Sequence, residues 1–169
     1  MAEPFILFEV AGTNYAVQSA KVQQIEMIEK IVKVPNAPDF VEGVVYIRGR
    51  VVPVVNLRSR FGFEKIPYDL RSRLIVINLE GRLVGLAVDS SREFVFIDPE
   101  KIMPSPDAIA GVSGEYLSGT VSLNDRLVLI LNLNQALSSE EKEGLTPALG
   151  TERYSALEMH KIINETKST

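Results

Sequence analysis

The sequence predicts a mainly β protein made of two packed five-stranded barrels with short connecting helices and a C-terminal helical extension. Three observations predict it. A pattern of apolar alternation, tight turn and renewed alternation appears four times, which is how half-buried antiparallel strands joined by hairpins read. Shorter β-rich pieces bring the expected strands to roughly ten, at the spacing of small barrels. Ten strands in 169 residues would close into one oversized, hollow barrel, whereas two five-stranded barrels fill their interiors with side chains.

In chain order, the first hairpin is "FILFEVAGTNYAVQ", with Gly12 and Asn14 assigned to its turn. Ser19 is placed as the cap of a helical turn or two through "AKVQQIE", "KIVKV" as a short strand, and "PDFVEG" as a tight helical turn. The second hairpin turns at Arg48-Gly49 between Val44–Ile47 and Val51–Val55. Within it, Pro53 lacks an amide proton and belongs at a sheet edge or bulge. "NLRSRFG" reads as a short helix ending on Gly62. A third hairpin turns at Glu80-Gly81, "EFVFI" adds a strand, and a fourth hairpin turns at Asn124-Asp125; Gly, Asn and Asp supply the positive φ of two-residue turns. "NLNQALSSEEKEGL" reads as a helix closing at Gly144. "TERYSALEMHKIINETK" reads as another, with Thr151 at its N-cap and Glu152 in the first turn, beyond a break at Pro147 and Gly150. The polar segment "RFGFEKIPYDLRSR" between similar halves places the division of the two barrels near residues 65 to 72. The domain is taken as 1–144 and the extension as 145–169.

Composition narrows the function. With 46% hydrophobic residues the chain buries a real core, and 18 Lys and Arg against 22 Asp and Glu leave a net charge of -4. An acidic balance without an aromatic ladder on a basic strand face argues against nucleic acid as a partner. The absence of cysteine removes disulfides, thiolate nucleophiles and thiolate zinc sites, and suits a reducing cytosol. "MAEPFILFEV" has no basic stretch ahead of its apolar run, and no run approaches the length of a membrane span, so a cytoplasmic protein without membrane insertion is expected. The single histidine, His160, reads as a solvated helix residue rather than a general base. No GxSxG, phosphate loop or His-Glu metal spacing occurs, and the glycines of "GVSGEYLSG" and "IRGRV" lack a strand-loop-helix setting. The chain is expected to be no enzyme and to need no cofactor.

The ordered set "YAVQSAKVQQIE", "KVPNAPDFVEG", "FVEGVVYIRGRVVPVVNLRSRFGF", "LVGLAVDS", "EYLSGTVSLNDRLVLILNL" and "LSSEE" resembles the CheW family of chemotaxis coupling proteins over about Glu3 to Glu143. The resemblance implies two SH3-like barrels. It implies a non-enzymatic adaptor between the cytoplasmic tip of methyl-accepting chemoreceptors and the regulatory domain of a CheA-type histidine kinase, recruited to membrane-associated receptor arrays. Coupling chains of swimming pathways and of pilus- or gliding-based pathways are both covered by it, and other CheW-like chains are further expected partners. It places Gly43 and Arg48 on the receptor-binding surface, with Val22, Gln24, Val88 and Asp89 at matching positions. A guanidinium at a rigid hairpin corner loses little freedom on binding and engages carboxylates or helix carbonyls with its planar fork; Arg50 is read as a solvated turn residue that blunts a strand edge. Three positions depart from the family pattern: Gln24, where an acid is frequent, Tyr46, where asparagine is common, and Ser91 in place of a β-branched apolar residue.

Overall fold

The computed structural model describes residues 1–104 and 116–142. Its strands are β1 (Glu3–Val10), β2 (Thr13–Gln18), β3 (Val22–Met27), β4 (Val41–Ile47), β5 (Arg50–Asn56), β6 (Arg73–Leu79), β7 (Arg82–Val88), β8 (Ser90–Ile97), β9 (Leu117–Leu123) and β10 (Arg126–Leu131). The helices are α1 (Leu57–Arg60) and α2 (Leu133–Lys142). Two five-stranded sheets result, in the orders β8-β1-β2-β10-β9 and β3-β6-β7-β5-β4.

All four hairpins turn on two central residues of positive φ: Ala11 (50°) with Gly12 (79°), Arg48 (47°) with Gly49 (80°), Glu80 (51°) with Gly81 (89°), and Asn124 (49°) with Asp125 (64°). These are type I′ geometries, whose twist matches that of the flanking strands. The first hairpin is corrected by one step. Ala11 and not Asn14 shares the turn with Gly12, and Asn14 lies in the ladder opposite Glu9.

The expected division near residues 65 to 72 does not describe the sheets. The first barrel joins the β1–β2 hairpin to β8, β9 and β10, and the second joins β3, β4 and β5 to the β6–β7 hairpin. A cut at 65–72 would assign each hairpin to the wrong three strands. The four blocks have the same hairpin grammar, so nothing local says which hairpin completes which sheet; the parallel pairs β2–β10 and β5–β7 decide it.

Four further expectations change. "AKVQQIE" is one 3-10 turn at Ser19–Lys21 followed by β3, because Val22 to Met27 find an antiparallel partner in β6. "KIVKV" contributes only an isolated bridge between Val32 and Val44. "PDFVEG" forms a hydrogen-bonded turn, Val41 N–H to the Pro38 carbonyl, that leads directly into β4. Pro53 is buried on β5, flanked by β7 and β4, rather than at an edge. It is tolerated because Val44 opposite spends its own N–H and C=O on Val32, and pairing with β7 begins only at Val54.

The same plan is used in both barrels. β3 lies on β6 as β8 lies on β1, each with one extra residue bulged at the same register: Val22↔Ile77 then Gln24↔Val76, and Ser91↔Phe8 then Glu93↔Leu7. β4 and β9 each carry a bulge ahead of a glycine, Gly43 and Gly119. The residue after each glycine is bridged by a crossing strap, Val44 by Val32 and Thr120 by Met103. Both helices start on an asparagine cap: Asn56 accepts from Ser59 N–H and Asn132 from Gln135 N–H.

The largest apolar cluster lies between the barrels, not within one. Phe8, Val10, Tyr15 and Val17 of the first meet Val55, Ile75, Ile77, Leu86 and Val88 of the second, sealed by Leu57 of α1 and by Leu133, Ala136 and Leu137 of α2. Smaller clusters fill each interior, around Leu7 and Val128 in the first barrel and Val52 and Leu74 in the second. Arg60 adds a polar link across the junction, stacking over the rings of Phe40 (4.9 Å) and Tyr116 (4.7 Å) and donating to the Ala136 carbonyl. The barrels are therefore packed on a shared core, with α2 on its surface. The C-terminal helix read over 151–167, and Gly144 as the end of its predecessor, lie outside the described residues.

Candidate docking groove

In the second sheet β3 and β4 are the two edges, and the strap around Val32 crosses the space between them. A groove of about 940 Å³ opens there, with Gln24, Glu26 and Met27 of β3 on one wall, Val45, Tyr46 and Ile47 of β4 on the other, and Leu74 among its lining. Glu29 and Lys30 line it from the start of the strap, and Arg48 from the hairpin corner.

Arg48 is exposed, and its backbone is held in the left-handed region by the turn that closes β4 onto β5. Among the described residues neither Arg48 nor Arg50 joins an ion pair. The corner thus presents an uncommitted guanidinium on an ordered support, which lowers the entropy lost when it engages a partner.

On the facing wall, Gln24 Nε2 donates to Glu26 Oε2 at 2.5 Å. Both are half-buried and point the same way, since residues two apart on a strand share a face. A carboxylate thus stands on the same face as Gln24, two residues further along β3. Glu26 was missed because a helical reading of "AKVQQIE" turns residues 24 and 26 to opposite sides, and a strand reading by hydropathy would have turned Ile25 and Met27 inward; only the pairing with β6 puts Gln24 and Glu26 on the half-buried face.

The groove brings together Gln24 and Arg48 of the six residues singled out from the sequence. Gly43 is buried, at φ 141°, and a Cβ there would lie 2.1 Å from the Val32 carbonyl oxygen. Its place is to admit the strap, so it shapes the groove without facing a partner. Val88 is corrected from a surface to a core residue: it is 2% exposed, in the cluster between the barrels, as the alternation of β7 requires. Val22 is half-buried and packs against the same cluster.

Asp89 is the one residue between β7 and β8, where the chain passes from one barrel to the other. Its carboxylate accepts from Arg58 Nε at 2.9 Å, Arg58 Nη2 at 2.8 Å and the Ala11 N–H at 2.8 Å. Its own N–H donates to the Glu9 carbonyl. Asp89 thus ties α1 to the first hairpin, and the same hydrogen bond raises the Arg58 pKa above its ordinary value. A second polar knot holds the segment after α1: Asn56 Nδ2 donates to Glu42 Oε1 (2.7 Å) and to Tyr68 Oη (3.0 Å), and Tyr68 Oη donates to Glu42 Oε1 (3.0 Å). Burial, reinforced by the Glu42 charge, pushes the Tyr68 hydroxyl up.

Among the described residues, no group of three or more His, Cys, Asp or Glu is placed to hold a metal ion, and no helix is long and apolar enough to cross a membrane. Two SH3-like barrels on a shared core, with an exposed cation and a half-buried carboxylate lining one groove, are the architecture of a scaffold protein rather than of a metal centre or a membrane span. The family match is specific: the CheW-like domain matches residues 4–141. The chain is 32% identical to a chemotaxis protein CheW of Klebsiella aerogenes, over 83% of its own length and 85% of that relative. It is 28% identical to the Bacillus subtilis chemotaxis protein CheW over 86% and 93%. Among solved structures it resembles the scaffolding protein TtCheW of Thermoanaerobacter tengcongensis, with a TM-score of 0.74 and 28% identity, over 81% of this chain and 88% of that one. The chain belongs to the CheW-like family, the chemotaxis scaffold proteins.

Proposed function

We propose that this chain is a non-enzymatic coupling adaptor that joins the cytoplasmic tip of a methyl-accepting chemoreceptor to the regulatory domain of a CheA-type histidine kinase, within a membrane-associated array. The observation that carries the reading is the groove of the second barrel, where Arg48 stands on a rigid type I′ corner facing Gln24, in a chain matched by the CheW-like domain from residue 4 to 141. A guanidinium offered in this way suits the carboxylates and end carbonyls of a helical hairpin. Val22, Gly43, Val88 and Asp89 support the groove from behind: the glycine seats the strap, Val22 and Val88 build the core, and Asp89 fixes one barrel on the other.

The kinase is bound through other surfaces, by barrel-to-barrel contact in the low-micromolar range of exchangeable interfaces, about -8 kcal/mol. Replacing Arg48 by Glu tests the separation. Unfolding free energy should stay within about 0.5 kcal/mol of the unaltered chain, as for other surface changes, while titration against a soluble receptor-tip fragment shows binding lost and titration against the kinase regulatory domain shows it kept. Normal receptor binding by the variant would remove Arg48 from the site, and joint loss of both partners would point to one shared surface.

A further inference from the structure

The register common to the two barrels shows what is unusual about Glu26. It lies opposite Leu74 on β6; the corresponding position of the first barrel is Val95, opposite Phe5 on β1. Val95 packs on the apolar cluster of its barrel. In the second barrel the same inward-facing position carries a carboxylate, and it is kept at the groove wall by the Gln24 amide. That amide is neutral, so the pair retains a full negative charge, and one carboxylate oxygen, Oε1, stays available. Met27, Val45 and Leu74 around it are apolar, while Lys30 and Arg48 carry positive charge and Glu29 a second carboxylate elsewhere in the groove. A segment with an apolar face, a cation for Glu26 and an acceptor for Arg48 is complementary to both walls; a segment with only acids meets Glu26 as a repulsive contact, and like charges brought together in a partly desolvated cleft reject the wrong partner.

Resting on the reading of this groove as the receptor-docking surface, we propose that Glu26, positioned by Gln24, selects the docked receptor helix by charge and takes one of its lysine or arginine side chains. The two residues have separate parts: Glu26 contacts the partner, and Gln24 aims it.

The test measures affinity for a soluble receptor-tip fragment at low and high salt with the full chain and three variants. Glu26→Val copies the sister barrel and should fold normally, and Glu26→Gln removes only the charge. Each should weaken receptor binding about tenfold or more and flatten its salt dependence, as loss of a close charge pair does. Gln24→Ala should weaken binding less and keep the salt dependence, because the charge remains. Receptor binding by Glu26→Gln at unchanged affinity and salt dependence overturns charge selection. If Arg48→Glu still abolishes binding, only the Glu26 assignment fails; if neither variant affects the receptor, the groove is not its docking surface and both readings fall.

Discussion

The two barrels have one plan and two different seams. In the first, Glu93 at the bulge of the edge strand β8 reaches Arg126 at the start of β10, the strand beside the other edge, at 3.3 Å. In the second, Gln24 takes the place of Glu93 and Arg50 that of Arg126, the first residue of the strand after the hairpin. No ion pair spans the second seam among the described residues; instead Gln24 turns along its own strand to Glu26, and the groove stays open toward Arg48. One scaffold plan thus carries an ion pair across the seam of one barrel and, among the described residues, leaves the corresponding cation of the other outside any ion pair. The cost to stability is small, because a surface ion pair contributes only about 0–1 kcal/mol.

The straps offer the sharpest way to break this comparison. Gly43→Ala would drive a Cβ to 2.1 Å from the backbone oxygen of Val32 at φ 141°, whereas at Gly119 the nearest atoms, the Ile102 Cγ2 and the Met103 carbonyl oxygen, lie at 2.6 Å. We expect Gly43→Ala to cost about 4 kcal/mol and Gly119→Ala about 2 kcal/mol in denaturant unfolding, since the first combines overpacking with backbone strain. Equal costs would mean that the two straps are equally confined.

A smaller difference is expected at the helix caps. Asn132→Ala removes one cap and should cost about 1 kcal/mol. Asn56→Ala removes the matching cap and also takes the amide donor from Glu42 and Tyr68, so it should cost about 2–3 kcal/mol. A thermal or denaturant comparison of the two variants checks it; equal losses would show that the Glu42–Tyr68 knot contributes nothing beyond the cap.

The smallest effect belongs to the closed seam. Glu93→Gln gives the first barrel the residue type of the second at that position, and stability should fall by less than about 1 kcal/mol. The two partners are 44% and 35% exposed, so added salt should mask the loss. A larger, salt-independent loss would show that the bridge holds the first barrel closed.

From its sequence alone the chain determined its local geometry. Three of the four hairpin corners are legible at Arg48-Gly49, Glu80-Gly81 and Asn124-Asp125, because positive φ is a property of two adjacent residues and the alternation on either side fixes the strands they join. The short helix ending on Gly62 is legible for the same reason, and so is Arg48 as an exposed corner cation. Tertiary pairing decided the rest. Whether "AKVQQIE" is helix or strand depends on β6, fifty residues away in the register Val22↔Ile77 to Met27↔Arg73, and with it goes the identity of Glu26 as the acid of the groove. Which hairpin completes which barrel depends on two parallel contacts between distant strands, β2 with β10 and β5 with β7. The fates of Pro53, Gly43 and Val88 follow from what crosses or covers them: the Val32 strap in the first two cases, the opposite barrel in the third. A chain segment encodes the torsions it prefers, but the side of it that meets solvent is set by the surface that packs against the other side.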